Sequence, residues 1–220
     1  MSLVARLRER THALHTLAER SGYVSEIVRG RGSRNGYALF LRNLLPAYEE
    51  LERGLERHGE SPIFGGVPWA DLSRASAIEC DLSALAGSDW RRSMVLLPSA
   101  MNYSSHVAAA ASGNGERLIA HAYVRYMGDL SGGQTLKRLL GRSLGLGPDA
   151  LSFYEFPMIA DAARFKSDFR AAVDSAAASL VDSRAVIDEA ATAFQLNIEL
   201  SEAIQSSVQD HAREAVASPR

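Results

Sequence analysis

The residues best able to do chemistry gather in one stretch, AHAYVRYMGDLSGGQTLKRLLGRSLGL, residues 120–146. Its flanks have the spacing of a strong helix, yet Gly128, Gly132 and Gly133 interrupt the middle. Each glycine costs a helix interior about 1 kcal/mol against alanine. Gly128 and Gly132 are four apart, so on a helix they bare one strip of backbone. A bare strip admits a flat ligand or a second helix, and a glycine cluster also lets the helix bend. Asp129 follows Arg125 by four residues, so the two can pair on a neighbouring face. Two readings stay open on spacing alone: a tight helix–helix crossing with a surface ion pair, or a backbone cradle with a carboxylate beside it.

LSGGQ at 130–134 is identical to the signature motif of ABC-transporter ATPases. Those proteins also need a phosphate-cradling loop in which Gly-Lys precedes Ser or Thr. Of the 24 basic residues only Lys137 and Lys166 are lysines, and Leu136 and Phe165 precede them. The chain has no Gly-Lys pair, and the ATPase reading fails.

Helical periodicity dominates the elements that must position this stretch. Val4, Leu7, Thr11, Leu14 and Ala18 trace a stripe on one helix face. RGRGSRNG at 29–36 reads as a break, with Asn35-Gly36 its strongest turn signal. Helical spacing resumes at 37–58, residues 60–68 read as a loop, and helical patterns return around 71–86, 90–111, 116–144, 160–180 and 184–215. Strand alternation is almost absent, so the expected fold is all-α, with about seven or eight helices around one core. No linker, composition shift or repeat divides the 220 residues, so one domain over 1–220 is expected, its first few residues and about 206–220 peripheral.

With 24 basic against 26 acidic residues, no concentrated basic footprint for nucleic acid is suggested. Cys80 is the only cysteine, which fits a reducing compartment. The N-terminal MSLVARLRERTHALHTLAER is punctuated by Arg and Glu, unlike a signal peptide, and no apolar run approaches the roughly 20 residues of a membrane span. The chain reads as cytoplasmic, with no membrane attachment.

YMGDLSGGQ, preceded by AHAYVR, resembles the distal-helix signature of haem oxygenases. LRERTHALHTLAE resembles that family's proximal helix, and AIECDLSAL with Trp90, FPMIADAARFKSDFR and TAFQLNIEL resemble later family segments in the same order. The resemblance spans residues 6 to 200. It implies a single-domain multi-helix fold with haem sandwiched between a proximal and a kinked distal helix.

The resemblance also implies roles. His15 matches the axial ligand of the haem iron, a usual task for neutral imidazole. Glu19, four residues on, is within reach of the other ring nitrogen and would orient it. Gly128, Gly132 and Gly133 match the glycines that lay backbone over the haem plane. Asp129 matches the carboxylate that holds water on the oxygen-binding side, and Arg125, Tyr48 and Asn197 match polar members of that network. Lys166 and Arg170, four apart, and Arg8, two helical turns before His15, match the cations that meet the propionates, with Tyr123 at the same edge. Phe194, with Phe153 as a second candidate, would touch the macrocycle. Arg8 departs from the lysine common in the family and preserves its charge.

The implied activity is oxidative cleavage of haem b, cofactor and substrate at once, to biliverdin, CO and iron, with O2 as oxidant. With no flavin or nicotinamide fingerprint in the chain, electrons are expected from a ferredoxin or an NAD(P)H-dependent reductase, and a biliverdin acceptor is a further expected partner. The alternatives are a haem-storage protein on the same fold, which would not need Asp129 or the glycine trio, and an enzyme of the same fold acting on another small molecule such as a pyrimidine, which leaves His15 unexplained.

Overall fold

The computed structural model describes residues 1–217, with side chains through 214. Helix α1 (Leu3–Arg20) starts where Ser2 Oγ accepts a hydrogen bond from the Ala5 amide at 3.3 Å, the usual serine cap. Its stripe buries Leu3, Leu7 and Thr11 against α10 (Ser183–Ala217), a 35-residue helix that also packs against α2 (Gly22–Val28), α3 (Arg34–Arg57), α6 (Pro98–Ala110) and α7 (Leu118–Gly128). The remaining helices are α4 (Ala75–Ala86), α5 (Trp90–Ser93), α8 (Gln134–Leu144) and α9 (Ala162–Ala176). There is no strand among the described residues, and the architecture is all-α and single-domain. No helix among them is long and apolar enough to cross a membrane.

The ten α-helices among the described residues exceed the expected seven or eight because the 90–111 and 116–144 patterns are each divided and α2 forms as a separate short helix. The 90–111 pattern breaks at Met94–Leu97, since Pro98 cannot donate into a preceding turn and holds Leu97 extended at ψ 149°. Pro98 then opens α6 from its first position. The 71–86 pattern likewise divides into a 3-10 turn (Trp69–Leu72) and α4. Asn35-Gly36 is no turn: Ser33 Oγ accepts from Gly36 N at 3.1 Å, so the pair lies in the first turn of α3. Residues from about 206 continue α10 to Ala217, with 206–214 largely exposed, and 218–220 lie outside the described residues.

The helical run 118–144 is interrupted by a single π turn, Asp129–Gly133. Such a turn places one extra residue in the helix and is a recognised cause of kinks. Two contacts back it. Gly133 lies so close to Tyr154 that an added Cβ would sit 3.0 Å from the ring, and Gln134 Nε2 donates to Tyr154 O at 2.7 Å. Tyr154 is set by Asp81, a fully buried carboxylate whose two oxygens accept from the Ser152 and Phe153 amides at 2.8 and 2.9 Å. Burial pushes the Asp81 carboxyl above its ordinary pKa and the two amides pull it back. Asp81→Ala is expected to lower unfolding stability by about 3 kcal/mol at unchanged denaturant slope, because it strands two amides in the core. Urea unfolding monitored by circular dichroism measures this.

Candidate functional site

Four side chains from three helices meet in the core beside the π turn. Tyr48 comes from α3, Arg125 from α7 and Asn197 from α10, with Asp129 opening the π turn. Arg125 donates from Nε and Nη2 to the Tyr48 hydroxyl at 2.9 and 2.8 Å, from Nη1 to Asn197 Oδ1 at 2.7 Å, and from Nη2 to Asp129 Oδ1 at 3.4 Å. Tyr48 donates to Asp129 Oδ2. The polarity of that last bond is forced. With two guanidinium N–H groups on its oxygen, the Tyr48 hydroxyl has only its own proton left to give.

Of the two readings left open by spacing, the surface ion pair fails, since Arg125 is buried at 9% and Asp129 at 5% exposure. Burial pushes the Asp129 carboxyl above its ordinary pKa, and the Arg125 charge and the Tyr48 hydroxyl pull it partly back. Burial also opposes the Arg125 charge, but the Tyr48 and Asp129 oxygens outweigh it, and the guanidinium is held protonated. Burial raises Tyr48 well above the usual phenol range, so it remains a donor.

The glycines divide by environment. Gly133 packs on Tyr154, whereas a Cβ built on Gly128 or Gly132 meets nothing within 4 Å. The helix-crossing reading fails for those two: both are exposed, Gly128 immediately before the buried Asp129 and Gly132 three residues after it.

A second group lies on α1. His15 is exposed, its side chain at 58%, with Nδ1 3.7 Å from Glu19 Oε1, close but too long for a hydrogen bond. Its ring meets Phe194 edge-on, centroids 5.9 Å apart. Phe194 and Asn197 are three apart on α10, so one helical turn touches both the imidazole and the Arg125 network. α1 and α7 each pack on α10, and both the imidazole and the glycine backbone remain open. Phe153 is enclosed within the core by Tyr48 and Tyr154.

A third group is cationic. The half-buried Tyr123 phenol is pushed up by burial, while the Arg170 and Arg8 charges beside it pull it down. Lys166 stands one turn before Arg170 on α9. Its Nζ reaches Ser131 Oγ at 3.2 Å and Leu130 O at 3.5 Å, on the π turn itself.

Sequence reasoning missed three buried phenols, Tyr103, Tyr126 and Tyr154, which lie in the field of the Arg125–Asp129 pair and whose hydroxyls find no hydrogen-bond partner among the described residues. It also missed Arg74, buried at 6% with its guanidinium 4.1 Å above Phe156. The one available signal was a tyrosine within a helical pattern, at Tyr103 and Tyr126; Arg74, just before α4, carried none.

Because Gly132 meets nothing, Gly132→Ala is expected to leave the haem-free protein as stable or up to about 1 kcal/mol more stable. It should nonetheless weaken hemin uptake and slow ring opening by about tenfold or more, as misplacement in a reacting site does. Thermal melting and a hemin titration followed at the Soret band measure the two effects.

The family model described as Heme oxygenase matches residues 1–203. The chain is 37% identical to human heme oxygenase 1 over 90% of its length and 70% of the relative's. It is 32% identical to heme oxygenase 1 of the cyanobacterium Nostoc over 94% and 87%. Among solved structures, heme oxygenase-1 of the cyanobacterium Synechocystis in complex with heme superposes with a TM-score of 0.88 at 30% identity, covering 98% of both chains. The enzyme from Leptospira interrogans superposes at 0.85 with 33% identity, over 92% of this chain and all of that one. With its fold, glycine-bearing π turn and nearly full-length match in agreement, this chain belongs to the haem oxygenase family.

Proposed function

We propose that haem lies between α1 and the π-turn segment and is opened there to biliverdin, CO and iron, with O2 as oxidant and electrons from an external ferredoxin or reductase. The observation that carries this reading is the turn of α10 at Phe194 and Asn197. It brings an open imidazole and a closed carboxylate network within one helical turn, beside backbone that no side chain covers. The residues present fit the group. His15 would be the axial ligand through the nitrogen turned away from Glu19. Gly128 and Gly132 leave a cradle that a Cβ would fill, and Phe194 supplies an apolar edge. Arg8, Arg170 and Lys166 would meet the two carboxylates, with Tyr123 beside them.

When bound, haem supplies both the iron that activates dioxygen and the ring that is opened. The chain supplies placement and protons. Asp129 is the carboxylate that adjoins the exposed Gly128; burial pushes it above its ordinary pKa, and it would hold the water through which protons reach the bound group. Tyr48 and Arg125 hold its oxygens in one orientation and keep the carboxyl from turning, and Asn197 accepts from Arg125 to fix that guanidinium. Glu19 would orient the His15 ring from its Nδ1 side. A cytoplasmic location suits the single, unpaired cysteine.

The test is to mix the protein with one equivalent of hemin, add a reductant in air and follow the visible spectrum. A Soret band that decays as biliverdin absorption rises is expected. His15→Ala should lose normal ligation. Asp129→Ala should keep hemin binding and lose most of the ring opening, a loss of about a hundredfold or more for a proton-handling group. A stable Soret band under several reductants would replace the reading with haem binding without degradation.

A further inference from the structure

The frame that fixes the cationic edge against α1 rests on one carboxylate outside every group described so far. Asp174, in the last turn of α9, accepts a hydrogen bond from the Val4 amide through Oδ1 at 2.8 Å. Val4 is the second residue of α1, so this amide is one of the donors that a helix start leaves without an internal partner. Ser2 satisfies the next one, at Ala5. A negative side chain there also complements the positive end of the helix dipole. The bond spans 170 residues of sequence and ties α9 directly to α1.

Its consequence follows from register. On α9, Lys166, Arg170 and Asp174 are spaced by four, so the two cations and the carboxylate line one face. On α1, Val4, Arg8 and His15 fall within about 40° of one another at roughly 100° per residue. One hydrogen bond therefore joins the cation-bearing face of α9 to the face of α1 that carries Arg8 and the imidazole. At the other end of the ladder Lys166 touches the π turn at Ser131 and Leu130. Helix α9 is thus tied at one end to α1 and at the other to the glycine-bearing segment, with Arg170 between, beside Tyr123.

We propose that Asp174 is a positioning residue for ring opening: its bond to the Val4 N–H sets Arg8, Arg170 and Lys166 in register with His15, and so selects which edge of the macrocycle faces Asp129. The proposal rests on the haem reading above. A dicarboxylate ring held through one central ligand can still rotate about it, and cations placed to meet its carboxylates limit that rotation. Loss of the tie lets α9 shift or turn against α1 and widens the choice of meso carbon.

The experiment compares wild type with Asp174→Ala, Asp174→Asn and Val4→Pro, which removes the donor instead of the acceptor in a helix turn that tolerates proline. Three quantities are read: the biliverdin isomer distribution by chromatography, hemin affinity by Soret titration, and amide exchange of the first turn of α1 without haem. Wild type is expected to give one isomer. Asp174→Ala and Val4→Pro should each give a mixture, bind hemin several-fold more weakly and, for Asp174→Ala, exchange the Val4 amide faster. Asp174→Asn, whose amide oxygen still accepts, should restore the single isomer. A single wild-type isomer from Asp174→Ala despite faster exchange at Val4 would overturn the proposal and leave the haem reading standing. Should Asp174→Ala fail to fold, Val4→Pro and Asp174→Asn decide by the same isomer pattern. Wild type that makes no biliverdin would remove the haem reading, and this proposal with it.

Discussion

Keeping one carboxylate in the core is the constraint on which the site depends. Asp129 is 95% withdrawn from solvent, and an ionised carboxylate in that position is tolerated only when charge and hydrogen bonds replace water. Arg125 provides the charge from the preceding turn of the same helix, and Tyr48 provides the hydrogen bond from α3. Arg125 is itself buried and needs acceptors beyond Asp129, which Tyr48 and Asn197 supply. The network therefore requires α3, α7 and α10 to be in register at one level of the bundle. Removing one member strands the charge of another, so structural and chemical roles coincide here.

Helix α10 is what makes that register compatible with an open face. It packs on both α1 and α7. Its successive polar and aromatic positions report to both: Phe194 to His15, Asn197 to Arg125, and Glu189, one and a half turns earlier, to the buried His121 at 2.8 Å. The closed network and the exposed imidazole are both placed by one rigid element, which fixes their separation better than two loops would.

The helices were legible in the sequence because their apolar stripes are local, and the π-turn segment was legible because three glycines in a helical pattern are anomalous. The interruption at Met94–Leu97 was legible in principle from Pro98, whose effect on the preceding residue is stereochemical. The Asn35-Gly36 signal misled because a serine two residues earlier can turn the same dipeptide into a helix start. Burial of the Arg125–Asp129 pair was not legible from spacing. The spacing permits the pair, but its burial depends on Tyr48 and Asn197, which lie 77 and 72 residues away from Arg125. The buried phenols were hidden for the same reason, since a tyrosine in an apolar stripe looks like core until its hydroxyl is placed. The Asp174–Val4 tie leaves no sequence signal, because any backbone amide could have been the acceptor's partner.

The chain's glycines separate packing from ligand space by a physical criterion. At Gly36 an added Cβ would overlap the Tyr23 hydroxyl, and at Gly54 it would lie 2.7 Å from Leu118, so these glycines let helices approach. Gly133 does the same for Tyr154. Gly128 and Gly132 forfeit helix propensity, about 1 kcal/mol each, for no contact within the protein. Neither has the positive φ that would require glycine for backbone reasons. Helix stability given up with no return from packing or conformation points to something that must approach the backbone from outside the fold. A flat ligand laid against the helix is of the shape that these two positions leave open.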